Sequence, residues 1–140
     1  MAKVQVSTTL HVPASAVWNM IGGFNALARW HPAVLGTEET TENGAAVRRL
    51  SLHGGCTVVE RIESHDAKSR TYSYSIVCEA LPAPGYEARL HVRESADGHS
   101  CRVEWSSEFE ANGGSQNDAV KVIRGVYESG FDNLRRLFGS

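Results

Sequence analysis

Two charged residues stand where a strand pattern calls for apolar ones. Cys56, Val58, Glu60 and Ile62 recur at every second residue, so a strand here puts all four on one face. The run before it sets Arg48, Leu50 and Leu52 on one face in the same way. A lone buried charge costs several kcal/mol or shifts its pKa until it is neutral. An Arg and a Glu facing one interior offset each other's cost, yet such a pair is a poor source of stability. Paired charges in a mostly apolar space therefore point to a cavity with a chemical task. With Glu60 ionised beside Arg48, the guanidinium can donate to a carbonyl or oxyanion while the carboxylate accepts a proton. That chemistry suits enolisation, aldol cyclisation or dehydration. The same pair equally suits a polar anchor for a bound molecule, or a structural ion pair that only orients the sheet.

The hairpin around Gly54 and Gly55 decides whether the two meet. A two-residue loop pairs Leu50 with Val59 and separates Glu60 from the Arg48 face. A three-residue loop with a bulge pairs Leu50 with Glu60 and sets Arg48 opposite Ile62. A slip of one residue that turns both charges to solvent also fits the pattern.

Other elements must hold these strands in place. Val4, Val6, Thr8, Leu10 and Val12 alternate with polar residues, as in a half-buried strand. Pro13 opens a short helix containing Val17, Trp18 and Ile21, and Gly22-Gly23 stops it. Phe24 to Trp30 reads as a second short helix, ended by Pro32, which biases His31 away from helix. Strands are expected over about 33–41, 46–53, 56–64, 71–79, 86–94 and 101–109. Asp66-Ala67-Lys68 and Asp97-Gly98 mark turns, and Leu81 to Gly85 marks a loop. Tyr72, Tyr74, Ile76 and Cys78 share one face; Tyr86, Ala88, Leu90 and Val92 share another. Cys101, Val103, Trp105, Ser107 and Phe109 form a third such set. Ser115, with Asp118 three residues on, starts a long helix running to Phe138. Its apolar face is Val120, Ile123, Tyr127, Leu134 and Phe138, with Val122 and Val126 widening the stripe. Gly125 and Gly130 inside it cost roughly 1 kcal/mol each against alanine. They read as tolerated residues, or as room for a ligand or for close packing.

The bulk properties exclude several classes. At 140 residues the chain has the length of one domain, able to bury a core without staples. A net charge of -2 is not the basic footprint of a nucleic-acid binder. Cys56, Cys78 and Cys101 are odd in number and lie in strand-like runs, as buried thiols of a reducing compartment do. No signal peptide or membrane-spanning run is visible, and the expected location is the cytoplasm. The six histidines show no metal-ligand spacing, with His11, His53 and His91 on solvent faces. No Gly-rich loop opens a helix after a strand, so nucleotide binding is not expected either.

The element order and several of its residues resemble the START-like helix-grip superfamily, within the polyketide cyclase/dehydrase and lipid-transport family. The resemblance rests on Val17-Trp18-Asn19-Met20-Ile21-Gly22-Gly23-Phe24, Trp30-His31-Pro32 and Gly44-Ala45-Ala46-Val47-Arg48. Val59-Glu60-Arg61-Ile62, Tyr72-Ser73-Tyr74-Ser75-Ile76 and Trp105 complete it. It implies an α+β fold over residues 1–140. A curved antiparallel β-sheet wraps around a long C-terminal α-helix, and two short helices follow the first strand. Between sheet and helix it implies an apolar cavity for lipids, hormones, polyketides or similar molecules. A narrower likeness, to the lachrymatory-factor synthases of plants and their bacterial relatives, implies that Arg48 and Glu60 face the cavity as acid/base and binding groups. It also favours the bulged hairpin.

The expected function is binding of a small hydrophobic molecule, lipid-like, polyketide-like or aromatic, anchored by Arg48 and Glu60. The rivals are a cyclase, dehydratase or isomerase using that pair without metal or nucleotide cofactor, and an interaction module with a filled cavity. Tyr72, Tyr74, Tyr86 and Leu50 are the expected lining residues on the strands. Trp105 reads as lining or as packing under the long helix, Tyr127 as lining from that helix. Trp30 is placed near the mouth, as a gate or as packing. Oligomeric state stays open, a homodimer included.

Overall fold

The computed structural model describes residues 2–23, 26–52, 57–78, 85–110 and 116–138. Strand β1 (Ala2–Leu10) is followed by helices α1 (Ala14–Ile21) and α2 (Leu27–Trp30). Six strands come next: β2 (Val34–Glu42), β3 (Ala45–Leu52), β4 (Thr57–Asp66), β5 (Thr71–Cys78), β6 (Glu87–Glu94) and β7 (Cys101–Phe109). Helix α3 (Gln116–Phe138) is the last of the described elements. The α+β helix-grip architecture expected from the sequence is the one found.

All neighbouring strands are antiparallel, in the order β1-β7-β6-β5-β4-β3-β2. The chain enters at one edge of the sheet. Helices α1 and α2 carry it to the opposite edge, and successive strands walk back until β7 pairs with β1. The alternation seen in the sequence sets the inner face: Val4 and Leu10, Cys101 to Phe109 at every second residue, Ala88, Leu90 and Val92, and Tyr72 and Tyr74. Helix α3 lays Ile123, Tyr127, Phe131 and Leu134 on this surface. Its last turns are tied to β1 where Arg135 Nη1 donates to Thr8 Oγ1 at 2.8 Å.

The sheet bends at bulges, where one strand carries an extra residue and twists. Strand β4 shifts register against β5 between Val59 and Glu60 and again between Ile62 and Ser64. Glu60 therefore sits in a short regular stretch between two bends. A third shift, between Val34 and Gly36, leaves Leu35 as the extra residue of β2, and its side chain is 62% exposed.

Two details of the long helix differ from the sequence reading. Val122 and Val126 are 46% and 36% exposed, so they do not widen the buried stripe. Phe131, which the stripe omitted, is fully buried. Ile123, Tyr127, Phe131 and Leu134 follow the 3.6-residue period, and positions 122 and 126 lie about 100° away from it. The two helical glycines also part company. Gly125 is exposed, with nothing near the place a Cβ would occupy. Gly130 is buried, and a Cβ there would lie 2.8 Å from His31 Cδ2 and 2.9 Å from Trp30 Cζ3. Gly130 thus serves close packing of α2 on α3, and Gly125 is tolerated. Cys101 is buried as a free thiol; Cys56, His53 and the proposed cap Ser115 lie outside the described residues.

Candidate functional site: a buried ion pair in an aromatic nest

Arg48 on β3 and Glu60 on β4 are direct partners across the ladder. Neither loop weighed from the sequence gives this register. Leu50 pairs with Val58, not with Val59 or Glu60, and Ser51 pairs with Thr57. The correction has a simple cause. The connection between the last paired residues is longer than either short turn, and it keeps both charges on the inner face. A side chain has only two faces to choose from, so a shift of two residues preserves the face and changes the partner.

Arg48 Nε donates to Glu60 Oε1 at 2.7 Å. Arg48 is 0% exposed and Glu60 6%. The guanidinium carbon lies 4.9 Å from the centre of the Tyr74 ring and 5.5 Å from that of Tyr72. At these distances the ring faces attract the cation. Nη1 also makes a long hydrogen bond, 3.5 Å, to the Tyr72 hydroxyl. Burial opposes the Arg48 charge, but Tyr72, Glu60 and Tyr74 more than offset it, and the guanidinium stays charged. Burial pushes the Glu60 carboxyl above its ordinary range, against the pull of Arg48. Glu60 is consequently a stronger base than a solvated glutamate.

Aromatic residues extend this pair into the interior. Trp105 on β7 donates its indole N–H to the Tyr74 hydroxyl at 2.9 Å. Its ring stacks on Tyr127 of α3, with centres 4.2 Å apart and planes 18° apart. The Tyr127 hydroxyl is hydrogen-bonded to that of Tyr86. Burial holds the hydroxyls of Tyr74, Tyr86 and Tyr127 well above the usual tyrosine range, so all three are neutral donors or acceptors. Trp30 lies beyond Trp105, ring centres 5.5 Å apart, and Leu50 lies beside Arg48 on the same face of β3. The nine residues singled out in the sequence are all buried in one interior.

A side chain that lines an open cavity keeps accessible surface towards it. Arg48, Tyr72, Tyr74, Trp105 and Tyr127 keep almost none. In this conformation the described part of the interior is closed, and these side chains fill the space that the resemblance gives to a ligand. A concavity of about 590 Å³ opens elsewhere, mostly against outward residues such as Lys3, Gln5, Glu63, Arg89 and Glu108. It is a solvated trough with charges of both signs, on the far side of the sheet from the ion pair. Among the described residues no group of His, Cys, Asp and Glu is placed to hold a metal ion, and no helix is long and apolar enough to cross a membrane.

The sequence reading gave His31 no role. It is buried beside Trp30 and Trp105. Its Nδ1 accepts from the Ala33 N–H at 3.1 Å, so Nε2 carries the proton and donates to the Val126 carbonyl at 2.6 Å. The signal was Pro32, which forces His31 into extended backbone (φ -98°, ψ 117°) and turns its ring towards α3. Asn133 adds a second tie, donating to the Trp30 carbonyl at 2.7 Å. Burial lowers the His31 pKa from 6.5, with the Val126 bond opposing. A depressed folded pKa gives stability that is present above pH 6.5 and lost as pH falls through the folded value. Relative to His31→Gln, the wild type should therefore lose stability to urea on acidification below pH 6.5, by up to about 1.4 kcal/mol per pH unit. His31→Gln should flatten that limb, and equal slopes in the two proteins would rule the assignment out.

Not every polar atom in the nest is satisfied. Trp30 is 1% exposed, and its indole N–H has no acceptor among the described residues. Leaving such a donor unpaired costs about 1–3 kcal/mol.

The fold and this interior define a class, a helix-grip protein whose sheet and long helix enclose a mixed polar and aromatic site. The chain belongs to the polyketide cyclase / dehydrase and lipid transport family, whose model matches residues 1–139. Among solved structures it is similar to an uncharacterised protein from Bacillus thuringiensis, at 32% identity and a TM-score of 0.92, covering 99% of this chain and 100% of that one. The protein XoxI from Bacillus cereus is similar at 33% identity and a TM-score of 0.92, covering 99% and 96%. The Zhui aromatase/cyclase from Streptomyces sp. R1128 shares the fold at 17% identity and a TM-score of 0.73, covering 99% and 96%. No protein of curated function matches the chain.

Proposed function

We propose that this protein binds a small hydrophobic molecule bearing at least one polar group, with Arg48 and Glu60 as its polar anchor. The observation that carries this reading is the ion pair itself. A guanidinium and a carboxylate are buried together among rings, where an apolar pair of similar volume would be as stable or more so. Family membership points the same way, towards hydrophobic ligands. The narrower likeness to lachrymatory-factor synthases adds a chemical extension. Glu60, made more basic by burial, takes a proton from the bound molecule while Arg48 stabilises the oxygen that gains charge.

A second reading has its own observation. The close packing of the described interior suits an interaction module that fills its cavity with its own side chains. Native mass spectrometry of the protein purified from its source organism separates the two. A co-purifying small molecule, displaced by 2-acetylnaphthalene, is the expected result. A bare protein that also shows no saturable response to 2-acetylnaphthalene would overturn the ligand reading and leave the module. Once a ligand is identified, Glu60→Gln distinguishes carrier from enzyme. Turnover lost with affinity retained means catalysis; no turnover in either protein means a carrier.

A further inference from the structure

The trough of about 590 Å³ crosses the outer face of β1, β7, β6 and β5 and reaches Glu63 of β4. A smaller hollow of about 220 Å³ shares Gln5, Arg89 and Ser106 with it and extends to His91, Arg93 and Glu104. Side-chain size makes the depression. Arg89 pairs with Ser73 of β5 on one side and Ser106 of β7 on the other, and both serines are half-buried. Longer side chains rise around them, Lys3, Glu63, Glu87 and Glu108. Most charges on this face are committed. Lys3 Nζ lies 3.4 Å from Glu108 Oε1. Arg61 Nε and Ser75 Oγ donate to Glu63 Oε1 at 3.2 and 2.9 Å. Arg93 Nε donates to Glu104 Oε1 at 2.6 Å. Glu87 and Arg89 are left, both exposed and both lining the trough, with no hydrogen bond or ion pair to any described residue. The placement of Glu87 carries a cost. It stands directly opposite Glu108 in the ladder, where like charges destabilise a sheet.

We propose that this trough is a binding site for a small zwitterion of dipeptide length, with Glu87 holding its ammonium group and Arg89 its carboxylate. The site is open to solvent and lies on the other face of the sheet from Arg48 and Glu60, so it does not depend on the interior binding a ligand. Charge decides the class. The described lining residues carry two cations, Lys3 and Arg89, against three carboxylates, Glu63, Glu87 and Glu108, so a simple anion such as phosphate gains no net attraction. A molecule with both signs answers both unpaired groups. Spacing decides the length. Glu87 and Arg89 are two positions apart on one face of β6, about 6.5–7 Å along the strand. Two residues of extended peptide span about the same distance. The middle of such a molecule is a peptide group, and the Ser106 hydroxyl and Gln5 amide beside Arg89 offer it hydrogen bonds. A protein partner fits less well, because this face presents serines and charges without the apolar anchor of an interface core.

Glycylglycine tests this against two controls, N-acetylglycylglycine without the ammonium and glycylglycinamide without the carboxylate. In 15N-labelled protein the backbone amides of Ser73, Arg89 and Ser106 report on the trough. They should shift saturably with glycylglycine, at an affinity about threefold to fivefold above that of either control, the upper worth of a solvent-exposed ion pair. Added salt should narrow the difference. Arg89→Gln should bring the affinity for glycylglycine down to that for the amide, and Glu87→Gln down to that for the acetylated form. Both side chains are exposed and unpaired, so the variants keep the fold, and Glu87→Gln should not lower the unfolding midpoint because it relieves the repulsion from Glu108. No saturable shift at these amides, or equal affinities for the three probes, would overturn the proposal. N-acetylglycylglycine binding as tightly as glycylglycine would also overturn it, since the trough would then be a plain anion patch around Arg89. None of these outcomes bears on the reading of Arg48 and Glu60.

Discussion

Arg48→Leu should lower the unfolding free energy by about 3–5 kcal/mol near neutral pH, among the largest effects of any single change in this protein. The loss comes less from the missing bond than from what stays behind. Glu60 keeps its burial and loses the cation 2.7 Å away. Its carboxyl, already raised by burial, rises further. The sign of the pH dependence follows. A raised folded pKa gives stability that is present below the unfolded value of 4.5 and lost as pH rises through the folded one. The defect of Arg48→Leu should therefore shrink on acidification, as Glu60 takes up a proton and the buried charge disappears. The double variant Arg48→Leu/Glu60→Leu should recover most of the loss, since burying two aliphatic side chains avoids both desolvation penalties. Urea unfolding of the wild type, the two single variants and the double variant forms the complete cycle. A double variant as unstable as Arg48→Leu would show that the pair contributes to packing rather than carrying a cost kept for function.

This pair also shows what was legible in the sequence. Alternation around Arg48 and Glu60 marks two strands, each with a charge on the same face as its apolar residues, and leaves open whether that face is the inner one. Period two is robust because it depends only on the pleat. The partner across the ladder was not legible, because the register depends on the connection, and Leu50 meets Val58 instead of Val59 or Glu60. The register shifts between β4 and β5 on either side of Glu60 leave no mark in the alternation, and neither does the extra residue Leu35 of β2. Helix α3 shows the same division. Ile123, Tyr127 and Leu134 were read from their spacing, whereas the exposure of Val122 and Val126 depends on how far the sheet reaches around the helix. His31 is the clearest case of information present and unread. Pro32 fixed its backbone, and Gly130 opened the space its ring occupies, 99 positions away in the chain. The volume left between sheet and helix was beyond periodicity altogether, because ring packing decides it.

That packing turns on Trp105, and Trp105→Ala should cost about 3–5 kcal/mol, the usual range for removing a buried tryptophan. The ring meets neighbours from the sheet and from both α2 and α3. It stacks on Tyr127, sits 5.5 Å from Trp30 and 6.1 Å from Phe131, and supplies the hydrogen bond to Tyr74. Two outcomes differ in meaning. If the walls are held rigidly, by the Arg48–Glu60 pair on one side and the ties from α2 to α3 on the other, the variant keeps a ring-shaped void. Added indole should then refill it and restore stability with the logarithm of its free concentration, by about 2.7 kcal/mol at a hundredfold excess over its dissociation constant. If the nest collapses instead, the cost lies at the low end of the range and indole has no effect on the unfolding midpoint. Rigid walls are the expected result, because the polar groups around the ring are bonded to one another and cannot move inward without breaking those bonds. A binding site for planar molecules needs the same property. Its walls must keep their spacing when the ring between them changes, and restoration by indole would measure that directly.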